Sequence, residues 1–304
     1  MANEGTASCL ECLEAHPFFA SCNPSIENIF KDLPNFAAAD PFSIALITGN
    51  NTAARSCVVF AGDQVAEYAA QLKLWKKNKS RLLTTPTTIA ASAIYRDLPA
   101  PFSSQVDAAV EVDGVPVMYL FSGDSVLRYD AWPDHNDKNR VEVSPCKIAT
   151  SPYFNELPAP FNTKVDAAVS FNEGRQRGVN RRTLLLFSGD QCIFYAPVEN
   201  YDKSKVLSAP CAIAASPFLS QLPPPFNTKI DAAVCIEYAL STLLLFSGNQ
   251  FIKYSVRRTK EGNRILAGPF EFGVRAAAAA ALPAVAAASG APAAQTATVH
   301  PTDE

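Results

Sequence analysis

Histidine is scarce. The 304-residue chain has only His16, His135 and His300, so a Ser- or Cys-based catalytic triad has almost no base to draw on. No His-Glu-x-x-His segment, Gly-x-Ser-x-Gly elbow or Gly-rich phosphate loop occurs, which leaves motif-borne metalloprotease, serine-hydrolase and nucleotide chemistry without a carrier. Charge of one sign is also lacking. A formal net charge of −3 sets up no field that would draw in nucleic acid. No apolar run approaches the length needed to span a bilayer. Met1 to Pro17 has neither the basic start nor the apolar stretch of a signal peptide, so the expectation is a soluble, cytoplasmic protein, or a secreted one if a leader has been removed.

Cysteine is present but sparse: Cys9, Cys12, Cys22, Cys57, Cys146, Cys192, Cys211 and Cys235. That density is far below a disulfide scaffold, and most of these residues lie in apolar runs. They read as buried free thiols acting as small hydrophobes. Cys9, Cys12, His16 and Cys22 have zinc-ligand chemistry, but their spacing departs from common zinc knuckles and the flanking glycines and aromatics are missing. A lead-in over residues 1–29 is the preferred reading.

A strong internal repeat is present. Leu-Pro pairs recur at Leu33-Pro34, Leu98-Pro99, Leu157-Pro158, Leu222-Pro223 and Leu282-Pro283, in steps of 65, 59, 65 and 60 residues. Between consecutive pairs lies one aromatic-glycine element: Phe60-Ala61-Gly62-Asp63, Phe121-Ser122-Gly123-Asp124, Phe187-Ser188-Gly189-Asp190 and Phe246-Ser247-Gly248-Asn249. Five marks enclosing four elements define four units.

Each unit reads alike. A run of small residues opens it, as in Val106-Asp107-Ala108-Ala109-Val110, and suits strands crowded around an axis. Next comes an apolar run such as Leu184 to Phe187, expected as a strand buried on both faces. A tight turn through glycine leads to a strand ending in tyrosine, with Arg128 and Lys253 in period-two alternation. After a charged loop, a weaker edge strand is expected near Val141 to Val143 and Val206-Leu207, ended by Pro145 and Pro210. A short helix from Ile148 or Ile213 then leads to the next Leu-Pro pair. Four strands and a helix make one blade, and four such units favour a closed, all-β ring, since a solenoid would need capped ends. The helix expected before the first blade lies in Pro24 to Pro34, and that of the last blade at Ala276 to Ala281. Residues 284–304 are expected as a disordered Ala/Pro-rich tail.

The Asp-Ala-Ala strand, the Leu-Phe-Ser-Gly-Asp turn and the Tyr-terminated strand, in four copies over residues 30–283, resemble the hemopexin repeat. The chain is more similar to the family's stand-alone members, such as plant seed albumins, than to matrix metalloproteinases. The resemblance implies a four-bladed β-propeller with blades near residues 43–103, 104–163, 164–228 and 229–283. It also implies cations in the central channel, held by main-chain carbonyls of the Asp and of the second residue after it. Those positions are Asp107 and Ala109, Asp166 and Ala168, Asp231 and Ala233, with Ile44 and Leu46 in the equivalent slots of blade 1. Oxygen donors suit calcium, sodium or magnesium. The alternative for the three Asp residues is that each merely hydrogen-bonds nearby backbone at the strand start. The family's disulfide between the first and last blades has no matching cysteine pair here, so closure is expected to rely on packing.

What the resemblance implies about ligands is a small cationic or planar molecule, polyamine or heme. Heme is weakly supported, because the second domain that supplies histidines in two-domain relatives is not expected here and His135 reads as part of a solvated turn. A sugar-binding or toxin-like defence module and a structural homodimer, using the propeller face against a protein partner, are the competing readings. The basic stretch Lys73 to Arg81 with Trp75 is read as a solvated outer edge rather than a nucleic-acid or membrane surface. Cys146 and Cys211 occupy matching repeat positions, with Thr87 in the first blade. This marks a site for small residues rather than a catalytic nucleophile.

Overall fold

The strands form where the four-fold pattern places them. The computed structural model describes residues 42–48, 55–69, 81–112, 117–130, 140–176, 179–197, 205–237, 242–256 and 263–271, all within the compact unit Met1–Val274. Blade 1 comprises β1 (Phe42–Thr48), β2 (Arg55–Ala61), β3 (Gln64–Ala69), β4 (Arg81–Leu82) and β5 (Thr87–Thr88). Blade 2 comprises β6 (Ala108–Val112), β7 (Val117–Ser122), β8 (Ser125–Asp130) and β9 (Arg140–Lys147). Blade 3 comprises β10 (Ala167–Gln176), β11 (Val179–Ser188), β12 (Gln191–Ala196), β13 (Lys205–Val206) and β14 (Cys211–Ala212). Blade 4 comprises β15 (Ala232–Glu237), β16 (Thr242–Ser247), β17 (Gln250–Ser255) and β18 (Arg264–Glu271). Each blade is one antiparallel meander, and in blades 1 and 3 the outermost strand is split into two short pieces pairing the same neighbour.

The second and third strands of each blade join through a two-residue turn whose glycine, Gly62, Gly123, Gly189 or Gly248, has φ between 55° and 58°. Only glycine takes this left-handed conformation without a Cβ penalty, and it matches the twist of a tight hairpin. The second strands are apolar on both faces because a neighbouring blade covers each face. Every residue of β7 and β16 is buried, whereas the outer strands β9 and β18 alternate between exposed and half-buried.

The innermost strands close a ring: β1 neighbours β6, β6 neighbours β10, β10 neighbours β15, and β15 returns to β1. Four apolar clusters fill the four seams. Ala45 joins Ala109 between blades 1 and 2. Ala108 and Val110 join Ala168 between blades 2 and 3. Ala167 and Val169 join Ala233 and Cys235 between blades 3 and 4, and Ala232, Val234 and Ile236 join Ile44 between blades 4 and 1. Small side chains are needed at this level because the strands converge on the axis. Packing joins the last blade to the first, and Cys57, Cys146, Cys192, Cys211 and Cys235 are free thiols. The arrangement is an all-β, four-bladed β-propeller.

A wedge of chain fills the outer part of each described seam. Between blades 2 and 3 it supplies Ile148, Phe154, Leu157, Phe161 and Val165, all buried. Phe154 packs edge-on to Tyr119 and Phe121 at 4.9 and 5.1 Å between ring centroids, and burying such a ring is worth roughly 1.5–3 kcal/mol. The third strand of blades 2, 3 and 4 clasps a wedge. Tyr129 donates its hydroxyl hydrogen to the Ile94 carbonyl, Tyr195 to the Tyr153 carbonyl at 2.7 Å, and Tyr254 to the Phe218 carbonyl at 2.9 Å.

Two local expectations are corrected. The short helix of blades 1, 2 and 3 is a three-residue 3₁₀ turn, at Ile89–Ala91, Ile148–Thr150 and Ile213–Ala215. The serine that follows, Ser92, Ser151 or Ser216, accepts backbone N–H bonds from two or three residues on. A side chain that competes for backbone donors in this way diverts the chain from an α-helix. Pro145 does not end the fourth strand but lies within β9. Val143 pairs Arg128 and Cys146 pairs Val126, so Ser144 and Pro145 together oppose Leu127. This is a bulge, where a missing donor costs no ladder bond. The segments Pro24 to Pro34, Cys9 to Cys22, Lys73 to Lys79, the His135 loop, Ala276 to Ala281 and residues 284–304 lie outside the described residues.

Candidate functional site

One cavity lies among the innermost strands. It is lined by Ile44 and Ala45, by Ala109, Val110 and Glu111, by Ala168, Val169 and Ser170, and by Ala233, Val234 and Cys235. Its empty volume, open solvent included, is about 190 Å³. The hairpin register explains the lining. Ser43 pairs Phe60, Ala108 pairs Phe121, Ala167 pairs Phe187 and Ala232 pairs Phe246, so these four residues are equivalent. One residue further along, Ile44, Ala109, Ala168 and Ala233 form one level. Two residues beyond that, Leu46, Glu111, Ser170 and Cys235 form another.

This register corrects the blade 1 assignment by two residues. Phe42, not Ile44, stands where the other blades have Asp107, Asp166 and Asp231, while Ile44 stands level with Ala109 and Leu46 with Glu111. A slip of two preserves the alternation of faces, so the hydrophobic pattern cannot detect it. Only the pairing with β2 distinguishes the two alignments.

The three aspartate side chains have a local task. Asp107, Asp166 and Asp231 each accept, through Oδ2, the backbone N–H of the turn glycine, Gly123, Gly189 and Gly248 respectively, at 2.6 Å. The second oxygen is also held. Gln105 Nε2 donates to Asp107 Oδ1 at 2.6 Å, and Lys164 and Lys229 pair with Asp166 and Asp231 at 2.7 Å. Each aspartate amide donates to the carbonyl of the facing phenylalanine, for example Asp166 to Phe187 at 2.8 Å. The carboxylates therefore pin the hairpin turn to the start of the first strand, and none of the three aspartates lines the cavity.

Two polar residues, Glu111 and Ser170, are among those that line the cavity, two residues after the alanines. Glu111 is 3 % exposed. Ser170 is 4 % exposed, and its hydroxyl is buried without a hydrogen-bond partner. The Cys57 thiol, beside this level, is pushed up to about 12, chiefly by burial and then by the charge of Glu111. Sequence reasoning passed over Glu111 and Ser170 because it followed the aspartates. The legible signal was that they share the face of Ala109 and Ala168 in strands of period two. Among the described residues, no three His, Cys, Asp or Glu side chains gather closely enough to form a metal cage, and no helix is long and apolar enough to cross a membrane.

A ring of four antiparallel sheets around an axial cavity defines a class of β-propellers. Comparison with solved structures places the chain within it. A hemopexin-fold protein from cow pea superposes with a TM-score of 0.57 at 16 % identity, covering 73 % of this chain and 89 % of that one. A plant lectin with two metal-binding sites from Cicer arietinum gives 0.60 at 17 %, and a plant albumin showing hemagglutination from the same species gives 0.60 at 18 %. Both cover 75 % of this chain and 92 % of theirs. No family model matches the sequence, and no curated protein sequence matches it either. The fold is that of a hemopexin-like four-bladed propeller.

Proposed function

We propose that this chain is a non-catalytic binding protein whose axial cavity holds a hard cation. The observation that carries this reading is the lining itself. Equivalent positions from all four blades converge on one cavity, and its lining residues include Glu111, which is buried, and Ser170, whose hydroxyl is buried without a partner. Those donors are oxygens, as are the main-chain carbonyls of the converging strands, and oxygen donors fit calcium, sodium or magnesium. A buried orphan hydroxyl is costly unless something satisfies it. Glu111 and Ser170 would help hold the ion beside carbonyls at the level of Ile44, Ala109, Ala168 and Ala233. The cation would tie the four innermost strands together.

Metal analysis after equilibrium dialysis of the full chain tests this directly. Near-equimolar calcium, a higher melting temperature in calcium than in chelator, and weaker binding in Glu111→Gln support the proposal. A chain that retains no calcium, sodium or magnesium and melts identically with and without them removes it. Heme and polyamine are the small ligands proposed for the propeller, read by the Soret band of added hemin and by a melting shift with spermine. The neighbours named as a lectin and as showing hemagglutination support a second reading, sugar binding. Its test is agglutination that a simple sugar inhibits.

A further inference from the structure

Blade 3 carries a feature that its sister blades lack. Strands β12 and β14 pair so that Cys192 faces Cys211, and the two Sγ atoms lie 3.9 Å apart. The corresponding ladder position holds Val65 and Thr87 in blade 1, Val126 and Cys146 in blade 2, and Phe251 and Phe270 in blade 4. Packing alone is thus satisfied by Val with Thr, Val with Cys, or Phe with Phe. Nothing in the packing requires two thiols. Cys192 is 1 % exposed within the seam between blades 3 and 4, whereas Cys211, on the outermost strand, is partly exposed.

We infer that Cys192 and Cys211 form a redox-responsive disulfide that staples the outer strand of blade 3 to its neighbour. Directly opposed residues of an antiparallel ladder have Cα atoms about 4.5–5.5 Å apart, inside the range a disulfide spans. Closing the sulfur gap therefore needs side-chain rotation rather than backbone movement. Burial, and next the neighbouring Cys211, push the Cys192 thiol up to about 12. Only the thiolate attacks, which makes the accessible Cys211 the first to react and Cys192 the resolving sulfur.

The oxidant is a small-molecule disulfide such as oxidised glutathione. The Cys211 thiolate attacks one of its sulfurs, breaking that S–S bond and releasing one small thiolate, which leaves a mixed disulfide on Cys211. Cys192 then loses its proton, attacks the Cys211 sulfur and expels the second small thiolate. Two protein thiols lose two electrons, the small disulfide gains them, and the two protons end on the released thiols. The link joins residues separated by 19 positions across the charged connection between β12 and β13. It also anchors the start of the wedge, because Ile213 packs in the same cluster as Cys192 and Cys211.

The inference rests on strand register and is independent of the cation proposal, so either can fail alone. Purified full chain would be incubated with oxidised glutathione, with a dithiothreitol-treated control. Free thiols would be alkylated under denaturing conditions and the peptides mapped by mass spectrometry. The expected result is a peptide pair joined through Cys192 and Cys211, lighter by two hydrogens. A rise in melting temperature on the order of 5 °C or more should accompany it and reverse with reductant. Cys192→Val and Cys211→Thr, which copy the sister blades, should keep the reduced-state melting temperature and lose the response. Recovery of both cysteines alkylated, of glutathione retained on Cys211 alone, or of each joined to some other cysteine would overturn the inference. The mapping uses the unaltered chain, so it decides the matter even if a variant fails to fold.

Discussion

Asp166 Oδ2 accepts the backbone N–H of Gly189 at 2.6 Å, and this one contact explains why an aspartate recurs at the start of the inner strand. The carboxylate bridges from the first strand of blade 3 to the turn between its second and third strands. Asp166→Ala should therefore destabilise the chain by about 1–2 kcal/mol, the scale of a charge-assisted hydrogen bond at a partly exposed turn. The measurement is the denaturant midpoint in the presence of chelator. A variant that unfolds like the parent in chelator, yet binds calcium more weakly, would assign Asp166 to the channel instead.

The tyrosine clasps give a second prediction. Tyr195→Phe and Tyr254→Phe each remove a hydroxyl that donates to a wedge carbonyl, at 2.7 and 2.9 Å, while keeping the ring in place. Each should cost about 1 kcal/mol. The two clasps share no partner, so the double variant should cost about the sum. Chemical denaturation of the set checks this, and a double variant no worse than either single one would show that the clasps are not independent.

Two glycines separate conformation from space. Gly189 has φ +58°, and a Cβ there would meet nothing within 4 Å, so Gly189→Ala should lose only the left-handed preference, about 1 kcal/mol. Gly268 has φ +98°, and a Cβ would lie 3.0 Å from the Phe251 carbonyl oxygen and 3.2 Å from Ile252 Cα. Gly268→Ala must therefore move backbone of the adjacent strand β17 and should cost clearly more, about 2 kcal/mol or above. Equal melting temperatures for the two variants would contradict this ordering.

How much of this was legible follows from which patterns carry directional information. The repeat of Phe-Ser-Gly-Asp turns and Ala-Ala strands locates the four hairpins, because a positive-φ glycine and a strand buried on both faces each leave a local signature. The blade 1 register was not legible. Phe42 replaces the aspartate, and without that marker a slip of two residues leaves Ile44 and Leu46 on the same face. The polar residues of the cavity lining were partly legible, since Glu111 interrupts Val110 and Val112, but nothing local shows that the interruption lies beside a cavity. The Cys192 and Cys211 pair depends on β14 pairing β12 after a loop, a relationship with no local trace. The 3₁₀ turns were misjudged as helices because the Ile-Ala-Ala and Ile-Ala-Thr runs favour helix until the following serine takes the amides.

A final prediction concerns pH. Glu67 on β3 is 7 % exposed, and burial pushes its carboxyl up to about 7 from an ordinary 4.5. The blades place Glu67, Arg128, Phe194 and Lys253 at one level, each preceding the repeated tyrosine, Tyr68, Tyr129, Tyr195 or Tyr254, so the four blades fill this site with residues of very different polarity. Between the two values the folded chain holds a proton that the unfolded chain releases. Stability from this group is therefore fully present below about pH 4.5 and is lost as pH rises through about 7. The shift corresponds to at most about 3 kcal/mol. Glu67→Gln keeps the shape without the charge. It should match the parent near pH 5 and exceed it by up to that amount at pH 8, with denaturant midpoints at pH 5, 6, 7 and 8 tracing the difference. The subtraction isolates Glu67 from every other titrating group, so midpoint curves that stay parallel across the whole series would mean that the carboxylate is comfortably ionised in the fold.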